Sequence, residues 1–155
     1  MEALFSGCPV LEVLHMRDCW LDSLRALDIS ISTLKNITIK SESATRYKFT
    51  INAPSLECLD YFDFLADGYT LKNMNSLSEA HIDVKPSYVN SFSHSQHVRD
   101  LVEGISNVGF LYLSAHTLQT LEIAKCCLPT FSNSDANKRS CFSSKPTSLM
   151  IHTED

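Results

Sequence analysis

Apolar residues recur along this chain in one short template: apolar, two variable positions, apolar, one variable position, apolar. Leu11, Leu14 and Met16 give the first copy, and Leu34, Ile37 and Ile39 the second. Leu56, Leu59 and Tyr61 follow, then Leu77, Ala80 and Ile82, then Val108, Leu111 and Leu113. The first position advances by 23, 22 and 21 residues, and then by 31. The second half of each copy alternates, as a strand with one buried face does. Each copy therefore predicts a short strand whose apolar residues point inward and whose central residue points out. The central outward row is His15, Thr38, Asp60, His81 and Tyr112. The flanking outward positions are Val13 and Arg17, Asn36 and Lys40, Cys58 and Phe62, Glu79 and Asp83, and Phe110 and Ser114.

Between the strands lies a second alternating element. Leu27-x-Ile29, Tyr47-x-Phe49-x-Ile51 and Tyr69-x-Leu71 predict extended return segments. Pro9 and Pro54 each stand two residues before a first core leucine, where a fixed φ and a missing donor suit a turn feeding a strand. The long step before the fifth copy predicts a helix, because Val98, Leu101, Val102 and Ile105 fall on one face at helical spacing. Ser93 or Ser95 could cap its start, and Gly104 with Asn107 would end it. Lys85 to His94 reads as a polar surface loop. Leu118, Leu121 and Ile123 read as the return segment of the fifth repeat, and 133–155 as a disordered tail.

A period in the low twenties with this core is the signature of a leucine-rich repeat. The expected fold is α/β: a partial solenoid of about five repeats over 1–132, with parallel concave strands, extended convex segments and one amphipathic helix. A repeat cannot bury its apolar face alone, so stacking creates one long binding surface. Neither end carries a recognisable cap, so self-association through the uncapped ends is expected.

Composition narrows the function. The net charge is −5, with the excess of acid in the first 132 residues, which does not suit a nucleic-acid partner. No stretch is apolar for long enough to span a membrane. The opening, MEALFSGCPVLEVLHM, lacks the basic n-region of a secretory signal, so the expected site is intracellular, in cytoplasm or nucleus. The six cysteines show no C-x-x-C pair or zinc spacing, and Cys8 and Cys19 read as small buried residues beside the first core. Asn36-Ile37-Thr38 matches a glycosylation sequon by chance inside a strand. His94 and His97 lack the further ligands a metal would need, and His15 and His81 read as exposed strand residues. There is no G-x-S-x-G elbow and no H-E-x-x-H, and only four glycines. No catalytic residue, cofactor or metal is expected.

The outward residues His15, Arg17, Thr38, Asp60, Phe62, Glu79, His81, Asp83, Phe110 and Tyr112 form the candidate partner-binding face. Phe62, Phe110 and Tyr112 are aromatic anchor candidates. Asp60, Glu79 and Asp83 would make the middle of the face acidic, favouring a basic partner.

LFSGCPVLEVLHMRDC (4–19), YKFTINAPSLECLDYFDF (47–64), YTLKNMNSLSEAHIDV (69–84) and LVEGISNVGFLYLSAHTLQTLE (101–122) together resemble the leucine-rich-repeat region of plant F-box proteins, above all the F-box/FBD/LRR group. The resemblance implies a substrate-recognition module of a ubiquitin-ligase receptor, in which other subunits perform the chemistry. It implies a protein substrate, and a Skp adaptor where a longer form supplies an F-box. The F-box itself is absent, and the family pattern is left after Leu128-Pro129-x-Phe131-x-Asn133. The alternative expectation is a truncated isoform or gene fragment without ligase coupling, competing for substrate. A general leucine-rich-repeat scaffold is the second alternative.

Overall fold

The computed structural model describes residues 8–19, 24–41, 47–64, 66–85, 91–123 and 148–152. Five strands arise at the five predicted cores: β1 (Val13–Arg17), β3 (Asn36–Lys40), β5 (Cys58–Phe64), β7 (Glu79–Lys85) and β8 (Phe110–Ser114). The return segments are also strands: β2 (Ala26–Ser30), β4 (Lys48–Asn52) and β6 (Gly68–Lys72). They form a second parallel sheet, β2-β4-β6, in addition to being extended. The main sheet runs β1-β3-β5-β7-β8-β9, where β9 is Ser148–His152, and every neighbouring pair is parallel. The result is an α/β architecture compatible with a leucine-rich-repeat fold.

Register explains why the template recurs. Leu14, Ile37, Leu59, Ala80 and Leu111 stand opposite one another in turn, as do Met16, Ile39, Tyr61, Ile82 and Leu113. These columns face the inner residues of the return sheet, and Leu27, Ile29, Phe49 and Ile51 are fully buried. A leucine or phenylalanine moved from water to such a site contributes about 2 kcal/mol. Backbone pairs stitch successive repeats just before each strand: Asn36 donates to Glu12, Cys58 to Lys35, Glu79 to Glu57, and Phe110 to Ser78, at 2.9–3.1 Å. The turns carry side-chain ties as well. Thr33 donates to the carbonyls of Leu11 at 2.8 Å and Pro9 at 3.2 Å, and Ser76 donates to that of Pro54 at 2.8 Å. Each hydroxyl sits one residue before a core leucine, so the proline turns are held by the following repeat.

An aromatic cluster joins the two sheets. The rings of Phe49 and Tyr61 stack at 5.1 Å, and Tyr69 meets both edge-on. Within it lies a buried polar chain. The Tyr47 hydroxyl donates to Asp63, Tyr61 lies 3.3 Å from Tyr47, and Tyr69 lies 3.4 Å from Tyr61. Because Tyr47 spends its hydrogen on the carboxylate, Tyr61 must donate to Tyr47, and Tyr69 to Tyr61. The Ala66 amide donates to Tyr69, and the Phe64 amide donates to Asp63. Burial is the main cause pushing all three tyrosine hydroxyls up, and it pushes the Asp63 carboxyl up to about 6.

Several expectations require correction. The helix α1 (Ser91–Gly104) starts earlier than the polar composition suggested, so Ser91 to His94 are helical and Ser93 and Ser95 lie inside the helix and do not cap it. Residues 86–90 lie outside the described residues. Its apolar face holds, since Val98, Leu101, Val102 and Ile105 are all buried. The helix does end at Gly104, although not through a left-handed glycine, since no described glycine has a positive φ. Gly104 instead lets the helix approach β6: a Cβ there would lie 2.9 Å from the Leu71 Cβ. The Leu118–Ile123 segment is a second helix, α2 (Ala115–Ile123). The Ser114 hydroxyl accepts the Thr117 amide at 3.2 Å, an N-cap bond that starts the helix directly from the strand.

The tail is not featureless. Ser148–His152 pairs with β8, with Leu149 opposite Leu111 and Ile151 opposite Leu113. The alternation Leu149-x-Ile151 matches the inner columns but lacks the preceding apolar residue of the template, and it arrives 38 residues after Leu111, outside the earlier period. The rest of 124–147 lies outside the described residues. Cys8 is exposed, and Cys19 is half-buried. Cys8 lies in the turn before the first strand, where no described neighbour covers it. No helix among the described residues is long and apolar enough to cross a membrane.

Candidate functional site

All ten candidate residues lie on the outward face of the main sheet, because period-two alternation and a constant register leave them no other side. They fall into three rows across the strands. One row is Val13, Asn36, Cys58, Glu79 and Phe110. The second is His15, Thr38, Asp60, His81 and Tyr112. The third is Arg17, Lys40, Phe62 and Asp83.

The face has two unlike halves. Around β1, β3 and β5 it forms an open depression of about 300 Å³, walled by Val13, His15, Asn36, Cys58, Asp60 and His81. Thr38 lies at its floor. It was expected to project as an exposed residue, but it is only 8% exposed, because the longer side chains on both neighbouring strands shade it. Burial, then the nearby Glu79 and Asp60 carboxylates, push the Cys58 thiol up. A thiol so placed stays protonated and is a poor nucleophile.

Around β7 and β8 the face is aromatic. The His81 and Tyr112 rings stack at 4.2 Å with 25° between their planes. Phe110 is 50% exposed. The Lys85 ammonium lies 4.5 Å from the centre of the Phe62 ring, a cation–π contact.

Charge on this face is largely settled internally. Lys40 reaches diagonally to Asp60 at 3.3 Å, and His81 Nε2 lies 2.7 Å from the Glu79 carboxylate. Two of the three acids expected to make the middle of the face acidic therefore already hold a partner. Asp83 differs, since its Oδ1 is buried without a hydrogen-bond partner. Sequence reasoning did not anticipate the roles of Lys40 and Lys85. Their signal was present, because each occupies an outward position beside an aromatic residue on a neighbouring strand.

Among the described residues no group of three His, Cys, Asp or Glu side chains could hold a metal ion. The arrangement is suited to contact: an open depression beside an aromatic strip on the outward face of the sheet.

No protein-family profile matches the chain, and no solved structure matches it. Curated relatives from Arabidopsis thaliana do. One F-box/LRR-repeat protein is 33% identical over 151 residues, covering 84% of this chain and 29% of its own length. A second is 33% identical over 139 residues, covering 86% of this chain and 30% of the relative. A third is 33% identical over 144 residues, covering 86% of this chain and 38% of the relative. Identity reaches 36% over 144 residues in a further member of this set, and another, 35% identical over 134 residues, carries FBD in its name as well. The chain spans about a third of the length of the curated relatives it matches. With the repeated cores, the parallel sheets and these relatives taken together, the chain is a homologue, over most of its own length, of part of the plant F-box/LRR-repeat proteins.

Proposed function

We propose that this chain is a protein-interaction module, the substrate-recognition part of an F-box type ubiquitin-ligase receptor. Its strands form a leucine-rich-repeat solenoid whose concave side is the outward face of the main sheet. Binding is its activity, and the ubiquitin chemistry lies with other subunits. The protein works in the cytoplasm or nucleus, and coupling to a Skp adaptor needs an F-box in the same polypeptide.

The observation that carries this reading is the aromatic strip beside the depression. Phe110 is half exposed, and Tyr112 is pre-set by its stack on His81. Rigid aromatic side chains of this kind lose little conformational entropy on binding and are favoured anchors at interfaces. The remaining members of the face, His15, Arg17, Thr38, Asp60, Phe62, Glu79 and Asp83, would give shape and orientation around them.

The test is proximity labelling or cross-linking capture from plant cells, comparing the native chain with Phe110→Ala/Tyr112→Ala and with the control Lys72→Ala on β6. Loss of the same captured proteins in the double variant alone supports the reading. Equal capture by all three chains would reject the face as the binding surface.

A further inference from the structure

The floor of the depression holds a polar group left without a partner. Thr38 is only 8% exposed, yet it lines the depression, and its hydroxyl makes no hydrogen bond among the described residues. A buried hydroxyl is ordinarily satisfied by protein, by ordered water or by a ligand. Two more acceptors stand beside it. The Asn36 carboxamide, two residues back along β3, is also without a hydrogen bond among the described residues. Asp60 lies opposite Thr38 on β5; Lys40 holds its Oδ2 at 3.3 Å, and its Oδ1 has no partner among the described residues. His15 lies opposite Thr38 on the other side. Neighbouring strands run about 4.8 Å apart, so the His15 and Asp60 backbones leave a gap about 10 Å wide over Thr38, room for one unbranched side chain. The depression is also at negative potential. Burial comes first in pushing the Cys58 thiol up, and the Glu79 and Asp60 carboxylates follow, so their neighbours do not fully cancel them. Lys40 meets Asp60 where both side chains are partly exposed, and His81 balances Glu79 only when protonated.

We propose that the depression is a subsite for one lysine side chain of the protein partner. This rests on the reading of the outward face as a binding surface, and it names what that surface selects. The ammonium sits over Thr38 and donates to its hydroxyl, to the Asn36 carboxamide oxygen and to Asp60 Oδ1, which uses all three of its hydrogens. The stem lies along Val13 and Cys58, which supply the apolar wall. Arginine fits less well. Its planar fork bonds a carboxylate through two oxygens, and Lys40 already occupies one of them. An acidic side chain would meet Asp60 and the field of Glu79 at close range. An apolar one would cover Thr38 and Asp60 Oδ1 without offering either a hydrogen bond.

Titration of the isotope-labelled full chain with Nα-acetyl-lysine N-methylamide, followed by amide NMR shifts, tests it. Saturable shifts centred on Asn36, Thr38, Cys58 and Asp60 are expected. The norleucine analogue keeps the stem and lacks the ammonium, and should bind about tenfold more weakly; the arginine analogue should also bind more weakly than lysine. Asp60→Asn should weaken the lysine probe roughly tenfold and Thr38→Val about threefold, and the dispersion of the same spectra checks that each variant is folded. No saturable shift in the native chain, or equal binding of the norleucine or arginine analogue, overturns the proposal. Should Asp60→Asn disturb the fold through the lost Lys40 pair, the native chain with the three probes decides. Phe110→Ala/Tyr112→Ala lies off the depression and should bind the probe as the native chain does. The two readings therefore fail separately. An absent probe signal with capture still dependent on Phe110 and Tyr112 rejects the lysine subsite alone. Probe binding with capture indifferent to that pair keeps the lysine site and rejects the aromatic strip as the binding surface.

Discussion

Tyr47 donates its hydroxyl hydrogen to Asp63, a carboxylate with no exposure to solvent. Burial is the dominant influence on Asp63 and raises its pKa from 3.8 to about 6, while the Tyr47 and Phe64 hydrogen bonds pull in the opposite direction. A carboxyl whose pKa is higher in the folded than in the unfolded chain holds its proton more tightly when folded. Its contribution to stability is thus greatest below about pH 4 and is lost as pH rises through about 6. The two-unit rise corresponds to about 3 kcal/mol between those limits. Urea unfolding of the native chain and Asp63→Asn at pH 4.5, 5.5, 6.5 and 7.5 should show a shallower pH slope for the variant. Parallel slopes would mean that Asp63 does not titrate in this window.

Tyr47→Phe removes a donor from that carboxylate while keeping the ring that meets Phe49 edge-on at 6.5 Å. Leaving a buried charge short of a hydrogen bond costs about 2 kcal/mol or more. The loss should be larger at pH 7.5 than at pH 4.5, because only the ionised form needs the donor so strongly. A pH-independent loss, measured by the same denaturation series, would assign the effect to packing.

Thr117 ties β7 to the start of α2. Its hydroxyl accepts the Val84 amide at 2.8 Å and lies 3.2 Å from the Ile82 carbonyl, to which it donates. Thr117→Val keeps the shape and leaves both backbone groups without this partner, so a loss of about 2–3 kcal/mol is expected. Thr117→Ser should retain most of the stability. Thermal unfolding followed by circular dichroism separates the two variants.

Gly104→Ala should destabilise the chain, although alanine is the better helix former by about 1 kcal/mol. The added Cβ would meet the Leu71 side chain at 2.8–3.1 Å, and overpacking of this kind costs about 1–3 kcal/mol. Leu71→Ala should relieve the clash only partly, because the Leu71 Cβ itself is one of the close atoms. A double-mutant cycle in urea measures the coupling, and additive effects would show that the close approach is not what selects glycine.

Much of this architecture is legible in the sequence because two periods are superposed. Alternation by two puts Leu14 and Met16 inside and His15 outside, and the spacing near 22 then aligns each strand with the next. The ten face residues could be placed without coordinates for that reason. What was not legible depends on partners distant in sequence. Thr38 is shaded by neighbours from two other strands, and the diagonal Lys40–Asp60 pair depends on sheet twist and side-chain reach. The second helix was obscured because Leu118, Leu121 and Ile123 satisfy the strand template as well as a helical i, i+3 spacing, and the Ser114 cap decides between them. β9 lost its signal through the missing first apolar residue and an irregular step.

From β1 to β7, strand partners are separated by similar stretches of chain, with Leu14 opposite Ile37 and Ile37 opposite Leu59. Among the described elements, β1 packs chiefly on β3. Amide protons in β3, β5 and β7 should accordingly exchange most slowly, with openings spreading inward from the outer strands. Unfolding would then resemble a fraying ribbon, and the Phe49–Tyr61 stack that bridges both sheets would be the last part to let go.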